Sequence, residues 1–139
     1  MKCVLAADED RAVVGHVKVH LEKRGVEVEI LPVGAWARIA LDVGRAVAEK
    51  HADFGVVCCW TGTGVSMAAN KIPRVRAALV VDRETAAGAR KWNDANVLAL
   101  SLRLLSEPVA TEILDAWLDT AYGGTEDESL LAIRAQEAL

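Results

Sequence analysis

Apolar residues along this chain follow two rhythms. Short, nearly unbroken apolar runs at residues 3–7, 27–31, 54–58, 77–81 and 97–101 read as strands. Between and after them lie stretches of helical period at 12–23, 39–50, about 65–70, 84–92, 108–118 and 126–138. Gly25 closes the first helix, and Pro108 suits the first turn of its own. Apolar runs alternating with amphipathic helices are the mark of repeated β-α units on a parallel sheet, so the pattern predicts an α/β fold with five strands. In such a sheet ligands gather at the carboxyl ends of the strands. The loops to search for chemistry are therefore 7–11, 59–66, 82–83 and 102–106.

Composition narrows the function classes. At 139 residues and 53% apolar content, the chain is sized for one core and one domain. The net charge is −4, and no cluster of Lys and Arg interleaved with aromatics follows the chain, so no nucleic-acid partner is expected. The longest apolar runs fall far short of the roughly 20 residues that cross a bilayer, so no membrane partner is expected either. The opening stretch turns acidic at Asp8, too early for a signal-peptide core, which points to the cytoplasm. Three cysteines without metal spacing fit a reducing compartment. Cys58 and Cys59 are adjacent, which suits neither a redox CxxC pair nor a zinc site.

The segment after the third strand is the most informative one: Cys59-Trp60-Thr61-Gly62-Thr63-Gly64-Val65-Ser66. Glycines alternating with threonines let backbone N–H groups converge on an anion at a helix N-terminus. A dinucleotide fingerprint would need a third glycine where Met67 stands, and a Walker loop would need Gly-Lys-Ser/Thr. Cys58, inside the strand, reads as a small buried hydrophobe. Cys59, at the strand's end, fits two readings equally: another buried hydrophobe, or a base whose thiolate is favoured by nearby N–H dipoles.

Cys59-x-Thr61-Gly62-x-Gly64-x-Ser66-x-Ala68-Ala69-Asn70-Lys71, followed by Pro73-x-x-Arg76-Ala77-Ala78-Leu79 and by Asn93-Asp94-Ala95-Asn96, resembles the central motifs of the ribose-5-phosphate isomerase B and galactose-6-phosphate isomerase family. The resemblance runs from the opening strand to about Thr120. It implies a single-domain three-layer sandwich with a five-stranded parallel Rossmann-like sheet, working as a homodimer with sites at the subunit interface. The C-terminal helix, about 126–138, would pack at that interface. It implies a 1,2-proton shift on a small sugar or hydroxycarbonyl substrate, with Cys59 as the base and an enediolate intermediate. Thr61 and the N–H groups of the turn from Gly62 through Gly64 to Ser66 would hold the oxyanion, and Asp8 and Asn93 would hold sugar hydroxyls. No metal and no organic cofactor is implied.

Four departures from that family bear on the substrate. Glu9 stands where a phosphate-binding His is usual, and Trp92 stands where a ring-opening His is usual. An indole N–H donates only and cannot replace a titrating imidazole. Trp60 replaces a glycine beside the base, and either tryptophan could be core filler or stack on a substrate face. Lastly, the usual phosphate-clamping arginines give way to the acidic stretch Thr125-Glu126-Asp127-Glu128, in which Thr125 and Glu128 read as a capping box. Arg11 and Arg134 are the cations left to compensate, while Lys71, Arg74 and Arg103 read as solvated charges, Arg103 being within reach of the site after the fifth strand. These departures imply a substrate without a terminal phosphate; the alternatives are a non-catalytic partner subunit and a small-molecule binding module.

Overall fold

The computed structural model describes residues 1–137. Five strands, β1 (Lys2–Ala7), β2 (Glu27–Ile30), β3 (Phe54–Cys59), β4 (Ala77–Val80) and β5 (Val97–Ser101), form one all-parallel sheet in the order β2-β1-β3-β5-β4. Six helices accompany them: α1 (Ala12–Lys23), α2 (Trp36–Ala48), α3 (Thr63–Ala69), α4 (Arg83–Asn93), α5 (Glu107–Asp119) and α6 (Asp127–Gln136). The fold is therefore the α/β sandwich the pattern predicts, with every strand found.

Strand alternation sorts the core into two layers. Leu5, Val56, Cys58 and Leu100 face α1, α4 and α5, where Val17, Leu21, Ile113, Leu114 and Trp117 are buried. Val4, Ala6, Val57, Cys59 and Ala99 face α2 and α3, against Val43, Val47 and Val65. The central strands β1, β3 and β5 are buried on both faces, which is why they read as continuous apolar runs.

Boundaries differ from the expectation where the apolar signal is weakest. Helix α2 starts at Trp36 instead of residue 39, and α3 starts at Thr63 instead of 65, so Gly64 lies within its first turn. Asn93 is the last residue of α4 instead of a loop residue. The expected capping box at Thr125 and Glu128 is not formed: Glu126 is the N-cap and makes no side-chain cap bond. Instead, the Tyr122 hydroxyl accepts the Glu126 N–H at 3.0 Å and donates to Asp127 Oδ1 at 2.7 Å. Residue 138 of the expected last helix lies outside the described residues. Helix α6 buries none of its residues, and Leu131 and Ile133 are 65% and 54% exposed. No helix among the described residues is long and apolar enough to cross a membrane.

Candidate active site

The chain reverses its winding direction after β2, so that β3 pairs with the other edge of β1. Such a switch point opens a crevice between the carboxyl ends of the two strands. The two ends here are Ala7-Asp8 and Cys58-Cys59, held together by the Asp8 N–H donating to the Cys58 carbonyl at 3.1 Å. On the other side of β3, the Leu102 N–H donates to Cys59 O at 2.9 Å. Arg103 N–H and Ser101 Oγ both donate to Trp60 O, at 3.0 and 2.9 Å.

Within this frame the two cysteines separate by face. Cys58 is fully buried in the α1/α4/α5 layer, and burial pushes its thiol up to about 12. The thiol of Cys3, in the same layer, is also raised by burial. Cys59 closes β3 on the opposite face, and the Gly62 N–H donates to its sulfur at 3.2 Å. That contact depends on glycine. Gly62 has φ of +76°, and a Cβ there would meet Leu79 Cδ1 at 2.6 Å and the β5 backbone at 3.0 Å. An L-residue at such a φ is disfavoured by roughly 1–2 kcal/mol before any clash is counted.

The turn that follows is tight. Thr61 and Thr63 share a hydroxyl–hydroxyl bond at 2.7 Å, and the Ser66 N–H donates back to Gly62 O at 3.3 Å. With Gly62 N–H on sulfur and Ser66 N–H in the helix, the first-turn N–H groups of Thr63, Gly64 and Val65 are the ones free for an oxyanion. The expected set from Gly62 to Ser66 thus contracts to its middle three. Gly64 is also required by close approach, since a Cβ would lie 2.8 Å from the Trp36 ring. Trp36 was not among the expected site residues. Its signal is helical spacing, because residues 36, 39, 40, 43 and 47 continue the apolar stripe of α2 back by one turn.

Asp8 faces the crevice with Oδ1 buried and without a hydrogen-bond partner. Burial is the main reason its carboxyl is held above the usual range, with the Glu9 charge adding to it and Arg11 opposing. Glu9 and Arg11 form an ion pair, Nε to Oε1 at 3.1 Å, and the Arg11 guanidinium carbon sits 4.8 Å over the Trp60 ring. Trp60 is 49% and Trp92 51% exposed, so neither is core filler; the core tryptophan is Trp117.

The remaining expected residues are elsewhere. Helix α4 runs back from the carboxyl end of β4, so Trp92 and Asn93 stand at the amino end of the sheet, a strand's length from Cys59, about 16 Å at about 3.3 Å per residue. Trp92 folds back onto Gly88 of its own helix. The Gly123 N–H donates to Lys91 O at 2.8 Å, which brings the acidic start of α6 to the same end. Arg134 lines a cavity of about 720 Å³ there with Lys50, Arg74 and Arg76. A second cavity of about 590 Å³ also opens at the amino end, and one of about 520 Å³ opens beside Glu9 and Arg11; none of the three is lined by Cys59. Asn70 and Asn96 are structural. Asn70 exchanges two bonds with Ala77, at 2.8 and 2.9 Å, and Asn96 pins the Arg74–Arg76 turn, at 2.7 and 2.9 Å.

A family model described as Ribose/Galactose Isomerase matches residues 4–133. The chain belongs to this isomerase family. It is 38% identical to ribose-5-phosphate isomerase B of Escherichia coli over 129 residues, covering 87% of this chain and 85% of that one. The ribose-5-phosphate isomerase B structure of Clostridium thermocellum superposes with a TM-score of 0.94 at 32% identity, covering 99% of this chain and 98% of that one. That of Mycoplasma genitalium, solved with bound ribulose-5-phosphate, gives 0.93 at 31% identity, over 99% and 96%. Membership makes the protein a sugar-isomerase-type enzyme and accounts for both the sheet order and the glycine-rich turn after β3. No cluster of metal-ligating side chains is found among the described residues.

Proposed function

We propose that this family member is an aldose–ketose isomerase that uses Cys59 as its base on a small hydroxycarbonyl substrate lacking a terminal phosphate. The observation that carries the reading is the Gly62 N–H aimed at Cys59 Sγ at 3.2 Å, at the switch point beside an unpartnered Asp8 carboxylate oxygen. A donor directed at sulfur stabilises charge developing there. The thiolate takes the proton from the carbon next to the carbonyl, and the electron pair moves onto the carbonyl oxygen to give an enediolate. The Cys59 thiol so formed, open to exchange with solvent, delivers a proton to the former carbonyl carbon while the proton of the neighbouring hydroxyl passes to the former carbonyl oxygen, so the reaction balances without an oxidant. The Thr61–Thr63 hydroxyl pair and the N–H groups of Thr63, Gly64 and Val65 hold the oxyanion, a term that usually dominates such catalysis. Asp8 Oδ1 takes a substrate hydroxyl.

Trp92 and Asn93 join this site only from a second copy, because their own subunit holds them at the other end of its sheet. A homodimer also gives α6 something to cover, since a helix of this length is marginal alone in water. Against a phosphorylated substrate stand Glu9, with its charge at the crevice, and the three carboxylates of Glu126, Asp127 and Glu128 next to the Trp92 end.

The test is a screen of phosphorylated and unphosphorylated aldoses and ketoses for isomerisation and for deuterium uptake from solvent at the substrate carbon. Turnover should appear on an unphosphorylated compound, and Cys59→Ala should lower it by ~10² to 10⁴-fold while Cys58→Ala costs only packing. Wild-type turnover by Cys59→Ala would exclude the cysteine base, and turnover restricted to phosphorylated sugars would exclude the substrate class.

A further inference from the structure

The first loop places a single guanidinium between two neighbours. Arg11 presents Nε to Glu9 Oε1 at 3.1 Å and Nη2 to Glu9 Oε2 at 3.4 Å, so both carboxylate oxygens meet the same fork. Its guanidinium carbon lies over the Trp60 ring, 4.8 Å from the centroid. A guanidinium fork recognises phosphate and carboxylate by the same two-pronged geometry. Here a carboxylate of the protein's own chain already fills the fork, and the indole beneath limits how far it can turn away.

The surroundings add to this. The cavity of about 520 Å³ beside the pair is lined by Glu9, Asp10, Arg11, Ser106 and Glu107, three carboxylates to one guanidinium. Asp8, one residue earlier, feels the Glu9 charge strongly enough that its own carboxyl is raised by it in addition to burial. A dianionic group approaching Arg11 must displace Glu9 and then face it, together with Asp10, as like charges.

We propose that Glu9 is a specificity-determining residue, a built-in counter-anion that occupies Arg11 and denies it to the phosphate of a phosphorylated sugar. The assignment rests on the isomerase reading of the Cys59 site and names the residue that sets which sugars enter. It also gives Trp60 a role, as the platform that keeps Arg11 within reach of Glu9 instead of free in solvent.

Calorimetric titration of the full chain with inorganic phosphate and with ribose 5-phosphate tests this in wild type, Glu9→Gln and Glu9→Gln/Arg11→Gln. All three should fold, because both side chains are 42% exposed on a surface loop. Glu9→Gln should bind both anions roughly tenfold to a hundredfold more tightly than wild type, the range of one charge-assisted bond gained. The gain should shrink with added salt and vanish in the double variant. Two results would overturn the assignment: no gain in Glu9→Gln over wild type, or a gain that survives Arg11→Gln. Binding needs no turnover, so a protein that isomerises no sugar would sink the isomerase reading while these titrations still decide the role of Glu9.

Discussion

Asp8 Oδ1 is a buried carboxylate oxygen without a partner, in a fold whose other buried side-chain nitrogen and oxygen atoms are paired among the described residues. Leaving such a group unsatisfied costs free energy, and its raised carboxyl states the same cost in protons: the folded chain favours the protonated form more than the unfolded chain does. The ionised carboxylate therefore works against folding. Asp8→Asn removes that charge at nearly constant shape. The expected outcome is a higher melting temperature, by a few degrees at about 2–4 °C per kcal/mol for a domain near this size, together with weaker substrate binding. Thermal melts alongside KM for the substrate found in the screen check it. A lower melting temperature at unchanged KM would mean that Asp8 is a structural residue after all. Gly62 shows the opposite relation, where fold and site demand the same atom: only glycine fits against β5 at positive φ, and only that conformation directs its N–H at Cys59.

Elements whose apolar pattern is strong were readable from the sequence nearly to the residue, as α1 and β5 are. Where reading stopped short, something besides periodicity set the boundary. Trp36 starts α2 because it packs on Gly64 of another element, a contact that no local pattern contains. The Cys59 loop was legible because its glycines answer to backbone sterics. The placing of Asn93 at the far end of the sheet was not read from the pattern, since α4 reads the same whichever way it lies on the sheet; only the family resemblance implied a site shared between subunits. Nor did the sequence disclose that α1 and α5 are joined by ion pairs. His20 Nε2 lies 2.7 Å from Asp115 Oδ1, Arg24 reaches both Asp115 at 2.7 Å and Asp119 at 2.5 Å, and His16 touches Thr111 at 2.8 Å. The His20 bond first, and Arg24 after it, hold the Asp115 carboxyl below its ordinary value. A depressed carboxyl contributes stability that is present above the unfolded value near ~3.9 and is lost as pH falls through the folded one. Asp115 is 41% exposed, so solvent limits the effect. Melting temperature should therefore fall below about pH 4, and Asp115→Asn should show a shallower fall over that range while being less stable at pH 7. Parallel curves for the two proteins would remove the α1–α5 pair from the acid response.

At the scale of the whole molecule, the residues of the proposed site lie in two halves that one chain cannot bring together. Asp8, Cys59 and Thr61 are at the carboxyl end of the sheet; Trp92, Asn93 and the acidic start of α6 are at the amino end, tied to each other by the Gly123–Lys91 bond. The proposed two-fold dimer would resolve this, because an isologous interface sets one end of each subunit against the other end of its partner twice. Helix α6, with Leu131 and Ile133 uncovered, would then be an interface element. This arrangement can be tested by complementation. Cys59→Ala lacks the base, and Asn93→Ala, at an exposed helix end where the change is tolerated by the fold, lacks the hydroxyl contact. In a mixed dimer one site inherits both defects and the other inherits neither. Co-expressing the two variants, each nearly inactive alone, should restore about a quarter of wild-type turnover under random pairing, since half of the dimers are mixed and each has one intact site of two. Purification through two different tags should raise this to about half. A site built within one subunit gives no recovery at all, because every chain in the mixture then carries its own lesion, and that result would dismantle the shared-site dimer while leaving the chemistry assigned to Cys59 untouched.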